Sequence, residues 1–400
     1  MVGPFAFQPR GTVPVRMLPI AQRLVGDGHQ VFVVLPPYDN PKESGRRTSV
    51  DGIPIHNVRL AFGPPTFSHL GTAKRIVGET LNLRPDIVHI FKPRGPSGLA
   101  AMFLIARRKF GLHLPIVLDS DDWEGRGGFY DYWRLHGLYS SYQLAFADFQ
   151  DRWIPPRVDA ATVASRTLET RMWSLGMPRD RVFYVPNGPR EFPNPPSPDS
   201  MDVIRRKLGL ANRPVILLFT RFEFRPKRAV RILGLVRQSM ADANLLVVGE
   251  GVSGEEEQLK ELVEREDLAG QMIFVGWIDH KDLPPYLCLA DVAIYPLDDT
   301  LLNRSKCPGK LVELMSLGIP VVADRVGQIG EYIENEVSGL LVDPKDDDAF
   351  AASVVRVLKE PQLRTCLGKK AADRVRKVFS WNRLVSQVKE AYRVACSRAR

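Results

Sequence analysis

Two cations, Arg221 and Lys227, follow an apolar run in the stretch Thr-Arg-Phe-Glu-Phe-Arg-Pro-Lys-Arg. An arginine and a lysine six apart, where a strand end feeds a helix start, form a trap for a diphosphate. Their charges add to the open N–H groups and the dipole of that helix. A solvent-exposed basic loop is the plain alternative, and the position directly after a buried strand favours the anion site. Further on, Gly249-Glu-Gly251-Val-Ser-Gly254 matches the GxGxxG dinucleotide pattern. That pattern needs a pyrophosphate at the next helix N-terminus, and Glu255, Glu256 and Glu257 stand there instead. Three carboxylates suit the helix dipole but repel a pyrophosphate, which argues against a nicotinamide or flavin cofactor. Gly251 and its neighbours read as a close backbone approach to a different ligand.

The run Asp119-Ser-Asp121-Asp122 contains a DxD. Carboxylate oxygens could bind a divalent metal, cap a helix, or place one polar group, Asp121, toward an acceptor; the last is favoured. The stretch Ser305-Lys306-Cys307-Pro308-Gly309-Lys310-Leu311-Val312-Glu313 opens a helix with a Pro-Gly turn, which leaves N–H groups for a ligand. Glu313, a turn further on, could accept two hydrogen bonds from a ribose diol. His29 and His89 stand at strand edges and read as packed, hydrogen-bonded side chains. The six tryptophans show no stacking period and read as core or rim packing.

These residues need a scaffold. Apolar runs at 31–35, 86–91 and 115–118 alternate with helical patterns, including an amphipathic stretch at 15–25 that stops at Gly26-Asp27-Gly28. The proline-rich stretch 186–200 cannot be a helix or a central strand and reads as a linker. Beyond it, strands are expected at 215–220, 245–248, 272–275, 292–295, 321–323 and 339–342, with helices from about 227, over 255–266 and over 381–398. Such alternation predicts parallel sheets with crossover helices, whose ligands gather at the strand carboxyl ends. A chain of 400 residues is long enough for two such domains. They are placed at 1–190, joined by a helix at about 380–400 crossing back, and at 191–379, flanking a cleft.

With 44% hydrophobic and 25% charged residues the composition is that of a soluble globular protein. No apolar run reaches the ~18–20 residues of a membrane span, and the start lacks the pattern of a secretory signal. Four scattered cysteines have neither metal spacing nor a disulfide framework, which suits a reducing cytoplasm. Residues 1–196 hold 24 Lys and Arg against 17 Asp and Glu, so most of the net +9 lies in the first half. That favours an anionic partner such as a phospholipid surface or a phosphorylated lipid carrier. Nucleic acid is not expected, since no binding motif or aromatic-interleaved basic stripe is present.

Taken in order, these pieces resemble the GT-B family of retaining glycosyltransferases called group 1 or family 4. The resemblance covers nearly the whole chain. It rests on Val-Pro-Asn-Gly at 185–188, Arg221 and Lys227, Val-Val-Gly-Glu-Gly at 247–251 and Phe-Val-Gly-Trp at 274–277. Ala-Asp-Val-Ala-Ile-Tyr-Pro at 290–296, the stretch 310–323 and Gly-Leu-Leu-Val-Asp-Pro at 339–344 extend it. Gly-Asp-Gly-His-Gln-Val at 26–31 and Pro-Asp-Ile-Val-His at 85–89 are similar landmarks in the first half.

The resemblance implies an α/β protein of two Rossmann-like domains that moves a sugar from a nucleotide-diphosphate donor to a glycan or lipid-linked acceptor. Arg221 and Lys227 would stabilise the departing diphosphate, and Glu313 would hold the ribose. Backbone at Trp277 and Ile278 would face the base, and Gly11 and Thr12 would approach the phosphates. Lys306, Cys307, Gly309, Lys310 and Leu311 would line the donor together with Gly251. No metal is implied, because cations and helix termini neutralise the leaving group. Two positions depart from the family pattern: Ser305 replaces the first of two glutamates, and Pro308 lacks an N–H. Both occur in a subgroup with Cys-Pro-x-Lys-Leu-x-Glu and bear on sugar contacts. Asp121 stands near the family's acceptor-side histidine and becomes its candidate replacement, while the initial strand within residues 3–10 is short or atypical. A GT-B nucleotide-sugar 2-epimerase and a non-catalytic sugar-nucleotide-binding protein are the alternatives.

Overall fold

The computed structural model describes residues 1–8, 11–111, 113–192, 196–210, 212–220, 225–251 and 254–398. They form two compact units, Met1–Gly188 with Arg304–Cys307 and Ser380–Arg400, and Pro189–Asn303 with Pro308–Phe379.

In the first unit the strands are β1 (Val33–Leu35), β2 (Arg47–Val50), β3 (Ile53–Asn57), β4 (Val88–Phe91), β5 (Ile116–Ser120), β6 (Ala160–Val163) and β7 (Val182–Tyr184). One sheet runs β1-β3-β2 and another β4-β5-β6-β7, parallel throughout except for the β2–β3 pair. Val2 joins them, since it bridges Val34 on one side and Ile90 on the other. The initial strand is thus reduced to a single bridging residue, which lies just before the stretch 3–10. The β2–β3 hairpin was not anticipated, although Asp51-Gly52 between alternating residues is a known hairpin signal; both residues take positive φ there, 50° and 79°.

The second unit carries β8 (Val215–Phe219), β9 (Asn244–Val248), β10 (Met272–Gly276), β11 (Val292–Tyr295), β12 (Val321–Asp324) and β13 (Leu340–Val342). These pair in parallel in the order β10-β9-β8-β11-β12-β13. Expected and observed strands agree within two residues, because strands covered on both faces read as uninterrupted apolar runs. The order reverses between β8 and β11, and the crevice at their carboxyl ends is where open α/β sheets bind ligands.

Helices cover both sheets. Ala229, Ile232 and Leu233 of helix Pro226–Arg237 pack on Ile216, Leu245 and Val247. The C-terminal helix Trp381–Arg398 places Trp381, Leu384, Val385 and Val388 against Met17, Ile20, Leu24 and Val33 of the first unit. Its Ala391 and Ala395 lie on Val117 and Ala160.

A buried polar chain runs through the first unit. Tyr392 donates to His89 Nδ1 (2.9 Å), and His89 Nε2–H reaches Thr162 Oγ1 (3.2 Å). Thr162 in turn donates to Asp119 Oδ2 (2.6 Å). Arg16 grips the same carboxylate through Nε and Nη2, both at 2.7 Å. Its Nη1 donates to Val185 O (2.9 Å) and Asn187 Oδ1 (3.0 Å). Asn187 finally donates to Cys307 through its backbone N (to Sγ, 3.1 Å) and its amide (to O, 2.9 Å). Arg16 is 1% exposed and Asp119 is fully buried. Removing one member of a buried pair leaves the other uncompensated, at a cost of about 3–5 kcal/mol. Arg16→Met is therefore expected to lose about that much stability in urea unfolding, and a loss below ~1 kcal/mol would contradict this role.

Candidate active site

At the carboxyl ends of β4 and β5 the first unit gathers a charged cluster. Lys92, directly after β4, lies at φ 50°, a left-handed conformation that costs about 1–3 kcal/mol for a residue with a Cβ. Its ammonium contacts Asp122 and lies 3.6 Å from Asp121 and 3.8 Å from Glu124. Burial alone would lower the Lys92 pKa, but these carboxylates together hold it above its ordinary range. Thr12, from the turn before the π-helical stretch Val13–Met17, bridges Lys92 (3.4 Å) and Asp121 (3.5 Å). Arg94 pairs with Glu124 at 2.9 Å. Asp121 is buried, and its Oδ1 has no hydrogen-bond partner among the described residues. Burial drives its pKa up, Lys92 pulls it back, and Asp122 and Asp119 raise it again, to about 7. A carboxyl poised there can exchange a proton near neutrality.

The structure thus brings Thr12 and Asp121 together and leaves neighbouring Gly11 exposed. Asp119 and Asp122 of the DxD run are engaged by Arg16 and Lys92. Lys306 Nζ lies 5.1 Å from the Phe129 ring centroid, and Cys307 is buried against Asn187. Ser305, at the position of the missing glutamate, is buried and accepts from Ser165 through its carbonyl (2.7 Å).

In the second unit, Arg221 falls outside the described residues, as do 222–224. Lys227 is exposed in the first turn of helix Pro226–Arg237, whose N-terminus no side chain among the described residues caps. Lys310 Nζ donates to Thr220 O (2.6 Å) at the end of β8 and lies 4.0 Å from the Phe219 ring centroid. Helix Gly309–Ser316 also starts without a side-chain cap, and Gly309 is half-buried there. Leu311 is fully buried in that helix, so it can offer a ligand only its backbone. Trp277 is half-exposed and Ile278 half-buried after β10.

Glu313 is 3% exposed; its Oε1 accepts from Arg190 Nε (2.5 Å), and its Oε2 has no hydrogen-bond partner among the described residues. Close by, His280 shares Nε2 with Glu191 O (3.2 Å), and burial together with Arg190 lowers its pKa.

Two expectations change. His29 is exposed rather than packed, and its backbone N–H donates to Leu24 O (3.0 Å) to close a helix. The GxGxxG glycines serve the chain itself. A Cβ on Gly249 would fall 1.9 Å from Thr220 O, so the close approach is between neighbouring chain segments. The Gly251 N–H already donates to Glu256. His89, in contrast, is packed as expected, and burial pushes it down to about 3.

Sequence reasoning missed Arg16, Lys92, Arg190 and His280. Lys92 had a usable signal, a cation directly after an apolar strand, the same pattern that singled out Arg221.

The Glycosyl transferase 4-like domain matches residues 11–188 and Glycosyl transferases group 1 matches residues 213–360. The chain is a glycosyltransferase of the GT-B fold. It is 27% identical to the phosphatidyl-myo-inositol mannosyltransferase of Mycolicibacterium smegmatis, over 98% of this chain and 92% of that one. An uncharacterized glycosyltransferase of Methanocaldococcus jannaschii is 25% identical over 96% and 95%. Among solved structures, Anabaena HepE in complex with UDP and glucose shares the fold with a TM-score of 0.69, at 20% identity over 98% of both chains.

Asp121 carries a pH signature. Its pKa is about 7 in the fold, well above the ordinary carboxylate range, so the folded state holds a proton that the unfolded chain releases. The associated stability is complete below pH ~4 and is lost as pH rises through ~7. Asp121→Asn should therefore gain stability relative to wild type as pH rises from 4 to 7, by roughly 3 kcal/mol. Parallel melting curves for the two proteins would refute this.

Proposed function

We propose that the chain transfers a sugar from a nucleotide-diphosphate donor to a hydroxyl of a glycan or lipid-linked acceptor, with retention at the anomeric carbon and without a metal ion. The observation that carries the reading is the second unit's switch point. There β8 leads toward the uncapped helix bearing Lys227, and Lys310 is tethered to the same strand end. Arg221 and Lys227 then neutralise the diphosphate as the bond from the anomeric carbon to its oxygen breaks. The electron pair leaves with the phosphate. The acceptor oxygen bonds to carbon on the same face, and its proton passes to the departing phosphate, with Asp121 assisting. Glu313 accepts the ribose hydroxyls, and backbone at Trp277 and Ile278 meets the base. Gly11 and Thr12, and Lys306, Cys307, Gly309 and Leu311 complete the donor contacts.

Metal independence is supported by the engagement of Asp119 and Asp122 with fixed cations, and fixed charges near a leaving group need no reorganisation. A lipid-linked acceptor is supported by the similarity to a phosphatidyl-myo-inositol mannosyltransferase. No helix among the described residues is long and apolar enough to cross a membrane. Peripheral contact with an anionic cytoplasmic-face membrane is supported by Phe62, Phe67 and Phe110, 97%, 70% and 87% exposed in the basic first half.

A thermal-shift screen against UDP-, GDP- and ADP-sugars should pick out one donor, since a ligand at 100 times its Kd adds ~2.7 kcal/mol. With that donor, Arg221→Ala and Lys227→Ala should each lower turnover by roughly tenfold to a hundredfold; wild-type rates in either would sink the assignment. The protein should sediment with anionic but not neutral vesicles at low salt, and Phe62→Ser with Phe67→Ser should weaken that by about tenfold. Equal recovery on both vesicle types would end the membrane proposal.

A further inference from the structure

We infer that Arg190 is a positioning residue for the nucleoside, holding Glu313 in its binding orientation. The inference rests on the reading of Glu313 as the ribose-binding group. Three consecutive residues act as a clip. Arg190 donates Nε–H to Glu313 Oε1 at 2.5 Å. Glu191 offers its carbonyl to His280 Nε2 at 3.2 Å, and the Phe192 ring lies 4.6 Å from the His280 ring. The segment therefore touches both Glu313 and the turn that follows Trp277 and Ile278, the two places assigned to ribose and base.

The polar atoms left over agree with this. A carbonyl can only accept, so His280 carries its proton on Nε2, and Nδ1 is a bare lone pair. That Nδ1 and Glu313 Oε2 are both buried without a partner among the described residues. Unmet buried acceptors cost free energy and mark places where a donor is due. A ribose diol brings two hydroxyl donors. Glu313 can take both, because a carboxylate has about four lone-pair sites and Arg190 uses one. Among the described residues the guanidinium also supplies the counter-charge of a carboxylate 3% exposed. Arg190 is thus the cation that keeps an acid available for hydroxyls while fixing which oxygen points outward.

The test is calorimetric titration of wild type, Arg190→Met and Arg190→Lys with UDP, GDP and ADP and with their 2′,3′-dideoxy counterparts. Arg190→Met should weaken the ribonucleotide by about tenfold, the scale of one charge-assisted contact, and leave the dideoxynucleotide within about twofold. Arg190→Lys, which keeps the charge, should recover most of the loss and serves as the variant to read should the methionine protein not fold. Equal weakening of both nucleotides, or no weakening, overturns the role of Arg190. A wild-type protein that does not distinguish the two sugars overturns the ribose assignment of Glu313 itself, a result separate from the behaviour of the variants.

Discussion

Taking a guanidinium and a carboxylate out of water is expensive, and the cost is met only when geometry and further hydrogen bonds are both good. Arg16 and Asp119 meet that condition: both carboxylate oxygens are gripped at 2.7 Å, and Nη1 is spent on Val185 and Asn187. The pair ties the helix beginning near Thr12 to the end of β5 and to the chain leaving β7. Through Asn187 it also holds the backbone at Cys307, at the head of the donor-loop sequence. A hydrophobic replacement would fill the same space, but it would not specify where three separate chain segments end.

That constraint shapes the charged cluster one residue beyond β5. With Asp119 committed to Arg16, Asp121 and Asp122 meet Lys92, whose left-handed backbone turns it into the cluster. Four acids and three buried cations share a small volume, so the fate of one proton depends on all of them. Asp121, poised at about 7, is a product of this crowding. A lone aspartate at a strand end would not titrate there.

The second unit leaves helix starts open. The helices Pro226–Arg237 and Gly309–Ser316 begin without a side-chain cap from the described residues, and open N–H groups at a helix start favour negative charge. Lys310 is anchored on the carbonyl of Thr220, which holds a cation at the strand end. The glycines after β9 are used for close packing of chain against chain, and Glu256 takes the amide of Gly251. The dinucleotide pattern is therefore satisfied by the protein's own groups, where a ligand had been expected.

Much of the scaffold was legible before any coordinates. Apolar runs bounded by breakers marked every strand of the second unit, because a strand covered on both faces must be apolar along its length. The order of small motifs carried the family resemblance, and Glu313 was singled out from its place in a helix following a turn. The β2–β3 hairpin and strands β6 and β7 escaped: β6 is Ala-Ala-Thr-Val, with no run of large apolar side chains, and the edge strand β2 is largely exposed and polar. The partners of the acids escaped as well: Arg16 lies 103 residues from Asp119, and Arg190 lies 123 residues from Glu313. Local periodicity reports which face of an element is buried. Which charge meets which across the fold is decided only when distant segments are brought together, since burial turns a chance neighbour into an obligatory partner.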